Sequence, residues 1–159
     1  MKLTLKVAMI PGIFFVLAMC GARAAYAAPP TDPCWLLTSA QIQKVLGQPF
    51  SKPAESKWPP AYGMRPWGTQ CQYNSQKKPA VKVTFIVYFE QTAAEAKQTF
   101  DKLSLWFPAT SKPAIGDAAY MDRSHAIHVL KGKVRYYVSV DPANEKQAKD
   151  LASSIAARI

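Results

Sequence analysis

The chain is poor in the residues from which metal and nucleophilic sites are built, with two histidines and three cysteines among 159 residues. His125 and His128 are the only imidazoles. A zinc site needs three or four ligands, so these two would have to borrow distant carboxylates such as Asp122. Three apart in an expected strand, they also point to opposite faces, with His125 on the face of Ile127 and Val129. No G-x-S-x-G elbow occurs, and the adjacency of Ser124 and His125 does not supply the geometry that a nucleophile and its base require. Asp117 and Asp122 flank a short strand, and Asp117 after Gly116 reads as a turn residue rather than half of a carboxylate pair. No catalytic residue, metal ligand or cofactor is therefore expected. Negative charge is scarce too, at 10 acidic against 20 basic residues. Long apolar runs are missing: the longest, Val7 to Met19, is too short for a stable span and contains Pro11 and Gly12.

That short run is informative by its setting. Lys2 and Lys6 precede it and small residues ending Ala25-Tyr26-Ala27 follow, the pattern of a secretory signal peptide over residues 1–27 with an A-x-A cleavage site. The expected mature chain is periplasmic or secreted and has no transmembrane span. It keeps 132 residues, enough for one domain with a hydrophobic core. Losing Lys2, Lys6 and Arg23 lowers the formal charge from +10 to +7, because all 10 acidic residues lie beyond the cut. A basic surface favours anionic partners, yet Lys and Arg are scattered and no run exceeds Lys77-Lys78, which reads as a solvated surface. Cys20 would leave with the signal. It could instead carry a lipid anchor, but Met19 stands where lipoprotein processing takes Gly, Ala or Ser, so cleavage after Ala27 is the expectation.

Cys34 and Cys71 then remain alone in an oxidising compartment and should pair. Redox motifs keep their cysteines close, and the 36 residues between these two point to a structural bridge. Closing a loop of that length contributes about 4 kcal/mol at most in the chain-entropy account.

Residues 28–33, with three prolines, read as an extended lead-in, and 34–159 as a single domain. Thr38 and Gln41 form a capping-box signature for a short helix carrying Ile42, Val45 and Leu46, which Gly47 ends. Trp58 to Trp67 holds Pro59, Pro60, Gly63 and Pro66 and is expected as a long loop. Two strands should follow. The clearest has Val81, Val83, Phe85, Val87 and Phe89 facing a core, with Thr84, Ile86 and Tyr88 on a mixed, partly covered face. Thr92 and Glu95 cap an amphipathic helix with Ala96, Phe100, Leu103 and Phe107 on its apolar stripe. Strands at His125–Leu130 and Val134–Val140 flank Lys131-Gly132-Lys133 as a hairpin. Asp141 and Pro142 are expected to open a last helix with Ala148, Leu151, Ala152, Ile155 and Ile159 inward. Hairpin-length connections and interspersed helices give an α+β domain, an antiparallel β-sheet packed by two or three helices.

Cys34-Trp35-Leu36-Leu37-Thr38 through Ile42, Leu46 and Gly47, then Cys71-Gln72-Tyr73 and Gly116-Asp117-Ala118-Ala119-Tyr120, resemble the small secreted or lipid-anchored bacterial envelope domains of unknown function with a Cys-x-Leu-Leu-Thr opening helix. The resemblance spans most of the mature chain. It implies an α+β domain with the Cys34–Cys71 bridge that serves in binding or assembly at the cell envelope. Met19 departs from the lipoprotein members.

The loop bearing Trp58, Tyr62, Arg65 and Trp67 is the expected binding element. Aromatics and an arginine between prolines make a semi-rigid platform for a glycan, a small ligand or an envelope protein's side chain. Alternatively, Trp58 and Trp67 fold back to cover an edge of the core. Export removes nucleic acid from the expected partners. A non-enzymatic binding domain is thus the first reading. A small secreted hydrolase or enzyme inhibitor, with a site assembled only in three dimensions, is the alternative.

Overall fold

The alternation of Val83, Phe85 and Val87 builds a strand that is central to the whole sheet, as the computed structural model shows for the residues it describes, 32–58 and 68–159. Six strands pair antiparallel: β1 (Ala54–Trp58), β2 (Gly68–Asn74), β3 (Lys82–Phe89), β4 (Ala118–Met121), β5 (Ile127–Lys131) and β6 (Val134–Asp141). Their order across the sheet is β1-β2-β3-β6-β5-β4. Two meanders therefore meet where β3 lies against β6, with Phe85 opposite Val138 and Ile86 opposite Tyr137. Among the described residues three α-helices pack with the sheet: α1 (Ser39–Leu46), α2 (Ala93–Trp106) and α3 (Glu145–Ala156). None of the described helices is long and apolar enough to cross a membrane.

One face of the sheet, bearing Phe85, Val138, Val129 and Tyr136, packs against Ile42 of α1 and the Leu151 and Ile155 stripe of α3. At its edge a 3-10 turn, Pro33–Leu36, is tied to β2 by the Cys34–Cys71 disulfide. Tyr73 donates its hydroxyl to the Leu37 carbonyl beneath it. Asp32 already belongs to this structure, since its side chain accepts from the Cys34 N–H. At the other end of the chain, Arg158 donates to Gln41 and lies over the Trp35 ring.

Both capping boxes form, at Thr38 with Gln41 and at Thr92 with Glu95. Elsewhere the structure corrects the sequence expectations. The last helix opens at Glu145, not at Pro142, because the Asn144 side chain accepts from the Gln147 N–H and so supplies the cap that Asp141 was expected to give. Ile159 lies beyond that helix and is exposed. Trp58 ends a strand instead of starting a loop. The strand was hidden because every residue of β1 is exposed at the sheet edge, leaving no alternation to read. The second face of β3 is more covered than its mixed composition implied, with Thr84 and Ile86 both buried. His125 is not in β5: it holds a left-handed turn conformation, φ +62°, before that strand begins.

Candidate functional site

Of the described helices only α2 lies over the sheet face away from α1 and α3, and its 14 residues cannot span six strands. Alternation along the strands sends Tyr120, His128, Tyr137 and Ile86 to this face in one row, each opposite the next across the register. The neighbouring row pairs Leu130 with Arg135 and Arg135 with Tyr88. Phe100 and Ala96 of α2 pack on Tyr120 and Leu130 in a separate small core. Beyond that contact the helix and sheet part, enclosing a cavity of ≈ 270 Å³. Ile86, Tyr88 and Tyr137 form part of its sheet wall, and Leu103 and Phe107 part of its other wall. Trp58, Phe107 and Ser124 also line it and are themselves exposed, which places them at its rim.

A glycine shapes this rim. Gly68 stands opposite Trp58, and a Cβ at Gly68 would come within 2.7 Å of Cε1 of Tyr88. The Tyr88 ring therefore lies directly on bare backbone, and a side chain at position 68 would displace it. On its other side the same ring meets the Arg135 guanidinium, 4.6 Å from the ring centroid. Burial raises the Tyr88 hydroxyl to about 12, Arg135 opposing and Tyr137 and Glu90 adding to the rise.

Among the described residues two charged groups reach the cavity, Arg135 and Asp122, and the protein partners both of them. Arg135 donates Nε to Glu90 Oε1 at 2.7 Å and brings Nη2 within 2.6 Å of the same oxygen, both side chains being buried. Burial pushes the Glu90 carboxyl up, and Arg135 pulls it back only in part. At the other end Asp122 Oδ1 accepts from the Ser124 N–H at 2.8 Å, the Ser124 hydroxyl at 2.6 Å and the Ala126 N–H at 3.1 Å. Its Oδ2 lies 2.8 Å from His128 Nε2. Burial works to raise this carboxyl, but the bonds from His128 and Ser124, the attraction of His128 and the Ala126 N–H outweigh it and hold the group at about 2. Asp122 is thus an ionised orienter of His128, held by three donors at Oδ1.

The imidazole itself sits among aromatic rings that lie nearly parallel to it. Tyr120 stacks on it at 4.6 Å and 9°, Tyr137 at 5.5 Å and 25°, and Phe107 at 5.6 Å and 23°. With Nε2 held by Asp122, the nitrogen left for any other partner is Nδ1.

Of the expected binding residues, Trp58 reaches the cavity; Tyr62, Arg65 and Trp67 lie outside the described residues. The two histidines separate entirely, because His125 Nδ1 pairs with Glu145 Oε1 at 3.1 Å. Ser124 is no nucleophile for either one, since its hydroxyl donates to Asp122. Asp117 accepts from the Gly132 N–H and so holds the turn between β5 and β6. Asp32, Cys34 and Glu55 place one ligand atom each within 4.8 Å of one another, but the Cys34 sulfur is already in the disulfide. Sequence reasoning did not reach Tyr88, Arg135, Tyr137 and the Asp122–His128 pair. For Tyr88, Arg135 and Tyr137 the signal was the run of large side chains at the positions of β3 and β6 that alternate with the core. No protein-family model matches the chain, and no curated protein matches it.

Proposed function

We propose that the protein is an exported binding domain of the bacterial cell envelope, periplasmic or secreted, that takes a small ligand in the cavity between α2 and the sheet and acts by binding rather than catalysis. The observation that carries this reading is the cavity itself. A partly open hollow walled by aromatic side chains, with a few fixed polar groups at its ends, is the usual form of a small-molecule site. Pre-organisation adds to it: His128 is held by Asp122 and by stacked rings, so little ordering remains to be done when a ligand enters.

Export rests on the signal-peptide pattern and is in keeping with the Cys34–Cys71 disulfide. The resemblance to envelope domains with a Cys-x-Leu-Leu-Thr opening helix agrees with the same placement. Against a hydrolase stands the direction of the Ser124 hydroxyl, which faces the carboxylate rather than the imidazole.

Native mass spectrometry of the mature protein, recovered from the envelope without denaturation, tests the reading. A small-molecule adduct should be present in the wild type and lost in Leu103→Trp, which fills the cavity from its α2 wall. An adduct that persists undiminished in a folded Leu103→Trp variant would place the ligand elsewhere.

A further inference from the structure

We infer that the cavity's ligand is an uncharged, flat, largely apolar ring compound bearing one hydrogen-bond donor, which it gives to Nδ1 of His128. This deepens the ligand-binding reading proposed above and rests on it.

Charge decides the first part. Arg135 is paired with Glu90, and Asp122 takes four hydrogen bonds from the protein, so each of these two charges already has a protein partner. A cation entering the cavity would meet the Arg135 guanidinium. An anion would meet the Asp122 carboxylate and the negative faces of the rings. Either would lose its hydration and find no unpartnered counter-charge among the described residues.

Shape decides the second part. The rings of Tyr120, Tyr137 and Phe107 lie within 25° of parallel to His128, so the aromatic groups about the imidazole present nearly parallel planes. A flat ring aligned with them gains aromatic contact that a non-planar molecule does not. At ≈ 270 Å³ the cavity falls just below the usual ligand range of roughly 300–1,000 Å³, enough for a few fused or linked rings. A sugar fits poorly, because its many hydroxyls would be buried against Ile86, Leu103 and Phe107 without partners.

Polarity decides the third. Asp122 binds Nε2, which favours the tautomer that carries its proton there and leaves Nδ1 as an acceptor. A donor on the ligand completes the histidine; a ligand without one leaves Nδ1 desolvated and unpaired.

Four naphthalenes of similar shape separate these terms: 2-naphthol, its methyl ether, 2-naphthoate and 2-naphthylmethylammonium, titrated by calorimetry against the whole mature protein. The expected result is that 2-naphthol binds about tenfold more tightly than each of the others. His128→Phe, which keeps an aromatic ring and removes the acceptor, should erase the difference between naphthol and ether. Equal affinity for the ether or for either ion would overturn the ligand class while leaving the cavity as the binding site. No binding by any of the four would overturn the cavity reading and this inference together. The wild-type comparison decides the matter whether or not the variant folds.

Discussion

At the scale of single residues, the Asp122 carboxylate couples the site to stability. An aspartate in an unfolded chain titrates near 3.9. In the fold Asp122 titrates at about 2, because the donors around Oδ1 and Oδ2 outweigh the desolvation that opposes them. Its folded value is depressed, so the stabilisation is fully present above about pH 4 and is lost as pH falls through about 2. The size is roughly 2 kcal/mol. Melting curves of wild type and Asp122→Asn should differ by about that amount at pH 7, and the gap should narrow between pH 4 and pH 2. A gap that stayed constant would mean that the charge is not what stabilises.

Tyr120 makes the opposite case. Its hydroxyl is buried and has no partner among the described residues, while its ring stacks on His128 and packs on Phe100. A buried, unpaired hydroxyl costs about 1–3 kcal/mol. Tyr120→Phe keeps the ring and removes that cost, so urea unfolding should show a variant at least as stable as wild type. A loss above about 1 kcal/mol would reveal a partner for the hydroxyl.

At the scale of elements, the caps show where reading the sequence works. Thr38 with Gln41 and Thr92 with Glu95 were legible because a capping box is a local pattern, complete within four residues. The start of α3 was not. Asp141 and Asn144 can each cap a helix, and the choice depends on where β6 ends, which is set by its pairing with β3 as far as Lys82 and Asp141. Asn144→Ala should therefore cost about 1 kcal/mol, the usual worth of an N-cap. Asp141→Ala should cost under about 0.5 kcal/mol, since its 3.8 Å pair with Lys82 is exposed. Thermal melts of the two variants distinguish the helix starts. Edge strand β1 escaped notice for a different reason: an exposed edge places no demand on alternation, so Ala54–Trp58 carries none. The candidate site escaped because it depends on register. Nothing in the spacing of Tyr88, His128, Arg135 and Tyr137 along the chain says that β3, β5 and β6 stand side by side.

Gly116 belongs to this scale too. It holds φ +62°, and a Cβ there would come 2.5 Å from the Leu130 carbonyl oxygen, an atom of the β5 backbone that cannot turn away. Gly116→Ala should lose stability on the scale of about 1–3 kcal/mol or more, by strain and by clash together. A variant as stable as wild type in urea would show that β4 can shift away from β5 at little cost.

At the scale of the whole molecule, the two faces of the sheet do different work. The face under α1 and α3 is a closed core, with Ile42, Val138, Leu151 and Ile155 wholly buried and the disulfide at its margin. Among the described residues the face under α2 is only partly covered, and its aromatic lining reaches exposed residues at the rim. This division explains why the order of elements predicted an α+β domain and yet pointed to the 58–67 loop and not to this cavity: a space that α2 fails to fill leaves no mark in the order of elements. It also separates stability from binding. A Cys34→Ser, Cys71→Ser double variant should lose up to about 4 kcal/mol in urea. It should keep its ligand while folded, because the bridge lies under the closed face.

The most direct measurement is a nuclear magnetic resonance titration of the mature protein with 2-naphthol, following isoleucine and leucine methyls and tryptophan indoles. Shifts are predicted at Ile86, Leu103 and Trp58, which line the cavity, while Ile42, Leu151 and Ile155 in the opposite core stay still. Shifts confined to the exposed Trp35, or spread evenly over both faces, would contradict the account.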